Sequence, residues 1–444
     1  MKTRSLTATV AVTALLLGTT AACSSGGSGD ASSSGSSGGS DVTLTYWASN
    51  QGTSLDNDKE VLTPVLDAFT KETGIAVDLE VIGWSDLQTR IQTAVTSGQG
   101  PDVVNIGNTW AVSLQATGAF LPFGEAEMEA IGGADKFVET ALETGGEKGS
   151  DLTSVPLYGL AYGLYYNKAM FQEAGLEPPT TWEEMVDAAK ALTDPAKDRY
   201  GFALAAGSYT ENNHFAFINA AQNGADVFDD EGNPTFTEDG VVKGILRYLD
   251  LMQTDLVVNP ANAQYNNGSF AVTDFANGKV AMILNQNNAD ATIVANGMPN
   301  DAYGVVAFPA PEGAETDVAS HVAGINLSIF ANTEHKDEAL QFVEYMTSPE
   351  VQEQLGKPFA SLPVLKDAEA VFTDNPEEAA TFTEIYNTRA KPLPLVPAED
   401  QFETTVGQAM NVMFATIATG GTVTEDDVRA AMQIAQDQVA ASIG

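Results

Sequence analysis

The sequence predicts an α/β protein built as two regions. Apolar residues alternate between a two-residue and a 3.6-residue period along the chain, the pattern of strands interleaved with amphipathic helices. The body from Asp41 onward is about 400 residues long, more than one hydrophobic core usually supports. Of the 444 residues, 43% are apolar and one is a cysteine, at position 23, so the body carries no disulfide framework and no thiolate metal site.

The N-terminus stands apart from that body. Lys2 and Arg4 precede an apolar run over residues 8–17 that is too short to span a bilayer. Thr20, Ala21 and Ala22 are the small residues a signal peptidase accepts, and a cysteine directly after them is the pattern of a bacterial lipoprotein, although Thr20 stands where leucine is usual. Residues 1–22 are therefore expected to be a signal peptide and Cys23 the lipidation site, against the alternative of a lone buried thiol. Residues 24–40 are almost entirely Ser and Gly, a flexible linker with a reach of roughly 20–25 Å.

In the body, residues 42–47 alternate like a strand, and Val61, Leu62, Val65, Leu66 and Phe69 mark one face of a helix that Gly74 stops. Residues 75–82 read as a second strand. Leu87, Ile91, Ala94 and Val95 mark a second helix ending at Gly98, and residues 103–106 are a short buried strand. This βαβαβ order implies a parallel sheet whose ligands gather beyond the carboxyl ends of the strands, where residues 47–51 and 107–110 lie. A second region opens near Leu157. It holds a strand ending at 165–167, a helix over 168–174, and a helix over 182–192 that Thr181 caps with Glu184 completing a capping box. Residues 241–253 read as a helix and 279–285 as a strand ending in the amide run Asn285, Gln286, Asn287, Asn288. Strands follow at 303–308 and 323–330, then helices at 337–346 and at 349–355, the latter capped by Ser348 with Pro349 at its first position. Two amphipathic helices at 404–419 and 424–442 close the chain.

Sixty acidic against 20 basic residues give a net charge of −40, which repels nucleic acid and anionic lipid headgroups. The three histidines are scattered, and neither a phosphate loop, a nucleophile elbow nor HExxH is present.

Six strings, in order, resemble the landmarks of extracellular carbohydrate-binding proteins that feed ABC importers, the class of the maltose- and chitobiose-binding proteins. They are TLTYWASNQG at 43–52, FTKETGIAVDLEV at 69–81, GPDVVNIGNTW at 100–110, GLYYNKAMFQEAGLEPPTTWEEM at 163–185, FANGKVAMILN at 275–285 and EALQFVEYMTSPEVQEQL at 338–355. The resemblance implies a two-lobed periplasmic-binding-protein-like (type II) fold with an interlobe ligand cleft, lobe 1 comprising 41–147 plus 302–332 and lobe 2 comprising 148–301 plus 333–444. It further implies a monomer that hands sugar to membrane permease subunits, touches the membrane through its lipid anchor only, and uses no cofactor, metal or catalytic residue.

A pyranose offers apolar C–H faces and a rim of hydroxyls, so its site needs flat rings and side chains that both donate and accept. On the first lobe the expected contacts are Trp47, Ser49, Asn50, Gln51, Asn108, Thr109 and Trp110, with core packing the alternative for either tryptophan. Tyr158 is the choice among the tyrosines at the lobe crossing. On the second lobe the family's pattern points to Glu211, Asn213 and His214. Asn285, Gln286, Asn287 and Asn288 replace a stacking ring found in relatives; hydroxyl contact and an Asn-rich turn are equally open readings. Phe402 stands where the family often places another ring, and Trp182 is assigned to packing. Two other readings remain: a lipid-anchored glycoside hydrolase, needing two carboxylates at defined separation, and the same fold holding a polyamine or other cation.

Overall fold

The alternation near the start of the body folds as strand β1, Thr43–Ser49, with Leu44, Tyr46 and Ala48 turned inward and Thr43 and Thr45 exposed. The computed structural model describes residues 42–52 and 54–443; Cys23 and the Ser/Gly linker lie outside the described residues. After β1 come the helix Leu55–Thr73, β2 (Ala76–Ile82), the helix Trp84–Ser97 and β3 (Val103–Gly107). The first helix begins where the Ser54 hydroxyl accepts from the Asn57 amide and ends at Gly74, whose φ of 80° is cheap only for glycine. β1 lies between β2 and β3 and runs parallel to both.

The remaining strands are β4 (Val155–Leu160), β5 (Tyr162–Asn167), β6 (Tyr200–Ala203), β7 (Val280–Gln286), β8 (Tyr303–Val306), β9 (Ser320–His321), β10 (Ala323–Ile329) and β11 (Ala390–Lys391). They build two main sheets, one in the order β2-β1-β3-β10-β4 and one in the order β6-β7-β5-β8. The first is mixed, because β10 enters antiparallel between β3 and β4. β9 and β11 pair separately as a short parallel ribbon.

Sheet membership moves the expected lobe boundaries. β4, expected in lobe 2, pairs with β10 in the first sheet, and β8, expected in lobe 1, pairs with β5 in the second. The chain therefore crosses at Ala161, the single residue between β4 and β5. The helix Lys336–Met346 was also expected in lobe 2, but its Phe342 sits edge-on against Tyr46 and Phe69, and the nearby Tyr345 hydroxyl donates to the Val65 carbonyl at 3.0 Å. Both helices over 336–356 rest on the first lobe. The chain returns to the second lobe before the helix Pro376–Glu384, where Phe382 meets the Tyr165 ring. Which sheet a segment joins is decided by long-range pairing, and local periodicity carries no trace of it.

Two smaller expectations shift by a residue or a turn. The Thr181 hydroxyl caps its helix as expected, but the Glu184 carboxylate reaches past it to the amide and hydroxyl of Thr180, both at 2.8 Å. The last two helices are Glu399–Ala418 and Glu425–Ile443, the former starting earlier than its apolar pattern because acidic residues fill its first turn. Among the described residues no helix is long and apolar enough to cross a membrane.

Replacing Phe342 with alanine should cost about 3–5 kcal/mol in urea unfolding, the range for emptying a buried ring site. A loss under about 1 kcal/mol would mean that this helix does not close the first core.

Candidate functional site: the interlobe cleft

A cavity of about 760 Å3 lies between the ends of the two sheets, lined from both lobes. Its first wall starts with the loop after β1. Asp58, buried in the first turn of the helix Leu55–Thr73, accepts from the amides of Gln51 (2.6 Å) and Gly52 (2.7 Å) and from the Asn50 side chain (2.9 Å). Burial raises the Asp58 pKa, and these three hydrogen bonds oppose the rise. The loop is thus wrapped around one carboxylate, and Asn50 and Gln51 line the cavity.

Trp84 donates its indole N–H to the Asn50 carbonyl at 2.7 Å and meets Trp110 edge-to-face, centroids 5.5 Å apart. These two rings make the aromatic side of the cleft. After β3, Asn108 and Thr109 also line it. The Asn108 amide is committed to the Val322 carbonyl (2.8 Å), which ties this loop to the segment joining β9 and β10.

The second wall is the helix Tyr209–Gln222. Ser208 caps it by accepting from the Glu211 amide. Glu211 and His214, three residues apart, share the cavity face, whereas Asn213 turns away and is buried with neither side-chain polar atom bonded. The Glu211 carboxylate accepts from the Gly268 amide, and its withdrawal from water raises its pKa to about 7. A β-carbon on Gly268 would stand 2.9 Å and 3.1 Å from the two Glu211 oxygens, so a larger residue there has to push that carboxylate aside.

At the floor, the Tyr162 hydroxyl meets His214 Nδ1 at 3.0 Å, and the His214 and His321 rings lie with centroids 4.0 Å apart. Burial lowers both imidazole pKa values, that of His321 to about 3, so both rings are neutral at ordinary pH. His321 is 1% exposed and neither ring nitrogen has a hydrogen-bond partner.

The helix Glu399–Ala418 closes the second wall from behind. Its Gly407 passes so close to Tyr209 that a β-carbon would meet the Tyr209 carbonyl at 2.0 Å. One turn earlier, Glu403 reaches the cavity and accepts from Thr210 of the second lobe and Thr109 of the first. Burial and the neighbouring Asp400 hold this carboxyl above its ordinary range, against the bonds from the two threonines; Glu399, raised by its own burial and by Glu403, is buried with neither oxygen bonded.

Of the expected contacts, Asn50, Gln51, Asn108, Thr109, Trp110, Glu211, His214, Asn285, Gln286 and Asn288 line the cavity. Six do not. Trp47 points to the other face of β1 beneath the Arg90 guanidinium, 4.4 Å from the ring. Ser49 is buried and accepts from Asn105 and Gln51. Tyr158 packs against Phe359 with its hydroxyl unbonded. Asn287 accepts from the Ala161 amide (2.9 Å) and donates to the Ala360 carbonyl (2.5 Å), so it braces the crossing. Asn213 is buried as described, and Phe402 packs between Phe228 and Phe236. The residues missed are Trp84, Tyr162, Tyr209, His321, Phe359 and Glu403, together with Asn266 and Asn267. Glu403 follows the expected Phe402, and in a helix one residue is a 100° turn of face.

A family model described as bacterial extracellular solute-binding protein matches residues 52–353. The chain belongs to this family. A multiple sugar-binding protein of Streptococcus mutans is 28% identical to this solute-binding protein over 342 residues, covering 73% of this chain and 77% of the relative. The fold matches a Thermotoga lettingae ABC-transporter solute-binding protein bound with α-D-tagatose, TM-score 0.77 at 23% identity, covering 91% and 100% of the two chains. It also matches the Thermus thermophilus maltotriose-binding protein, TM-score 0.72 at 22% identity, covering 90% and 100%. At these identities the structural matches establish the two-lobed fold of this solute-binding protein.

Both buried imidazoles should stay neutral far below the ordinary value of 6.5. The unfolded chain takes up protons there that the folded rings refuse, so the pair subtracts stability as pH falls from about 6.5 toward 3. Nitrogen shifts of His214 and His321 should therefore be flat from about pH 8 to pH 5; titration near pH 6.5 would show open, solvated rings.

Proposed function

We propose that this solute-binding protein captures a sugar, of disaccharide size or longer, by closure of its lobes and delivers it to the membrane permease of an ABC importer. The carrying observation is the make-up of the cleft: two tryptophans on one side, amide, hydroxyl, carboxylate and imidazole side chains elsewhere, and, among the described residues, neither lysine nor arginine in the lining. Its volume lies in the range of small-molecule sites. Flat rings cover the apolar C–H face of a pyranose, and Asn50, Gln51, Asn285, Gln286 and Asn288 supply groups that donate and accept at its rim. Glu403, bonded to a threonine from each lobe, is a contact that opening would break.

Binding without turnover fits a cleft whose ligand has to be released intact. Cys23, lipidated, would hold the protein as a monomer on the outer face of the cell membrane through the Ser/Gly linker, near its permease at raised effective concentration.

Calorimetry against di- and oligosaccharides tests the sugar reading, and absence of binding to every saccharide by folded protein would overturn it. Trp84→Ala and Trp110→Ala should each weaken the bound sugar tenfold or more, about 1.4 kcal/mol per tenfold. Cys23→Ser should leave affinity unchanged and release the protein into the medium; retention on the cell would refute the anchor.

A further inference from the structure

The cleft has an electrostatic character that neutral sugar recognition does not require. Among the described residues no lysine or arginine lines it, and His214 and His321 are buried as neutral rings. The side chains that can bring charge to the ligand near neutral pH are Glu211 and Glu403. They are close in the fold, since Glu403 is bonded to Thr210, the neighbour of Glu211. Their positive counterparts are backbone and hydroxyl donors only. Glu211 takes the Gly268 amide, beside the Asn285 side chain, and Glu403 takes Thr109 and Thr210. Nearby, His321 lines the same cavity from a site that is 1% exposed, its ring packed against that of His214.

We infer that the preferred ligand is a sugar carrying a basic nitrogen, an amino sugar whose ammonium is met by the Glu211 carboxylate. This inference rests on the sugar reading above. An ammonium brings three donors and no acceptor, which matches a wall whose charged groups are the carboxylates of Glu211 and Glu403. A uronic acid or sugar phosphate brings a second anion into a cleft that holds no cation to meet it. The first-turn amides of the helix Tyr209–Gln222 do not reverse this, because the Ser208 hydroxyl caps that end and Glu211 places a negative charge there.

Protons follow from the same geometry. With its pKa near 7, Glu211 is partly protonated in the empty cleft, and a bound ammonium favours the ionised form and releases the proton. The groups that feel its charge are Tyr162 and Tyr248; Glu403, with Glu399 and Asp400 beside it, acts on the same Tyr162, and His214 and His321 share the cavity as neutral rings. None is a cation that would keep Glu211 ionised in the absence of ligand.

The test is calorimetry on the full chain with glucosamine mono- to tetrasaccharides and their glucose and glucuronic acid counterparts, in α-1,4 and β-1,4 linkage. At least one amino sugar should bind tenfold or more tighter than its glucose counterpart, with uronic acids weakest. Repeating the titration in two buffers of different ionisation enthalpy should show proton release on binding the amine. Glu211→Gln, which keeps an acceptor for the Gly268 amide, should collapse the amine-to-neutral affinity ratio toward one. If neutral sugars bind as tightly as every amino sugar, or a uronic acid binds tightest, the inference fails while the sugar reading stands. Absence of binding to any saccharide removes both.

Discussion

The cleft depends on one buried backbone unit. Ala161 separates the two main sheets and belongs to neither ladder, yet it is buried, where an unbonded amide or carbonyl costs about 1–3 kcal/mol. Asn287 resolves the problem: its side-chain oxygen accepts from the Ala161 amide and its own amide donates to the Ala161 carbonyl. Its side-chain amide then ties the same point to Ala360. A crossing satisfied by one residue keeps its polar groups bonded without extending either sheet across the gap, and that leaves the gap free to be a cleft. The β9–β11 ribbon and the Tyr162 amide bonded to the Ser320 hydroxyl hold the neighbouring crossing beside it.

From that seam the two walls are organised by the same device in opposite lobes. A carboxylate near a helix start gathers backbone amides from a loop and so fixes the loop's side chains toward the ligand. Asp58 does this for residues 50–52, and Glu211 does it for Gly268. The acids are not equivalent. Asp58 spends its oxygens on the loop, whereas Glu211 remains at the cavity surface with acceptor capacity to spare. A strongly acidic composition thus contains a few carboxylates with architectural work and many on solvated surface, where exposed ion pairs such as Lys357 with Asp374 add little.

Much of this could be read from the chain. The βαβαβ start and the caps at Thr181 and Ser348 follow from local chemistry, and local chemistry is what a sequence carries. The family-like strings at 43–52, 100–110 and 275–285 also mark residues 50–51, 108–110 and 285, which line the cavity. What stayed hidden was orientation and long-range pairing. Phe402 and Glu403 differ by one helical step, and the apolar pattern of 404–419 did not reveal that the helix begins at Glu399. Tyr158 and Tyr162 sit on strands of different sheets, a distinction invisible until Ala161 is known as the crossing. Trp84 opens its helix, so the apolar face marked by Leu87 and Ile91 gave no reason to look at it.

Gly268 constrains the future of this cleft as well as its shape. A methyl group there would press on the Glu211 oxygens and on the Asn285 amide, so drift at this position displaces both side chains at once, while the flanking Asn266, Asn267 and Ser269 line the cavity with their side chains unconstrained by that contact. Ligand preference can therefore diversify by exchange of rim residues around a fixed pivot, with the acid and its loop inherited as a unit. A lineage changing what it imports would be expected to vary the neighbours first and the glycine last.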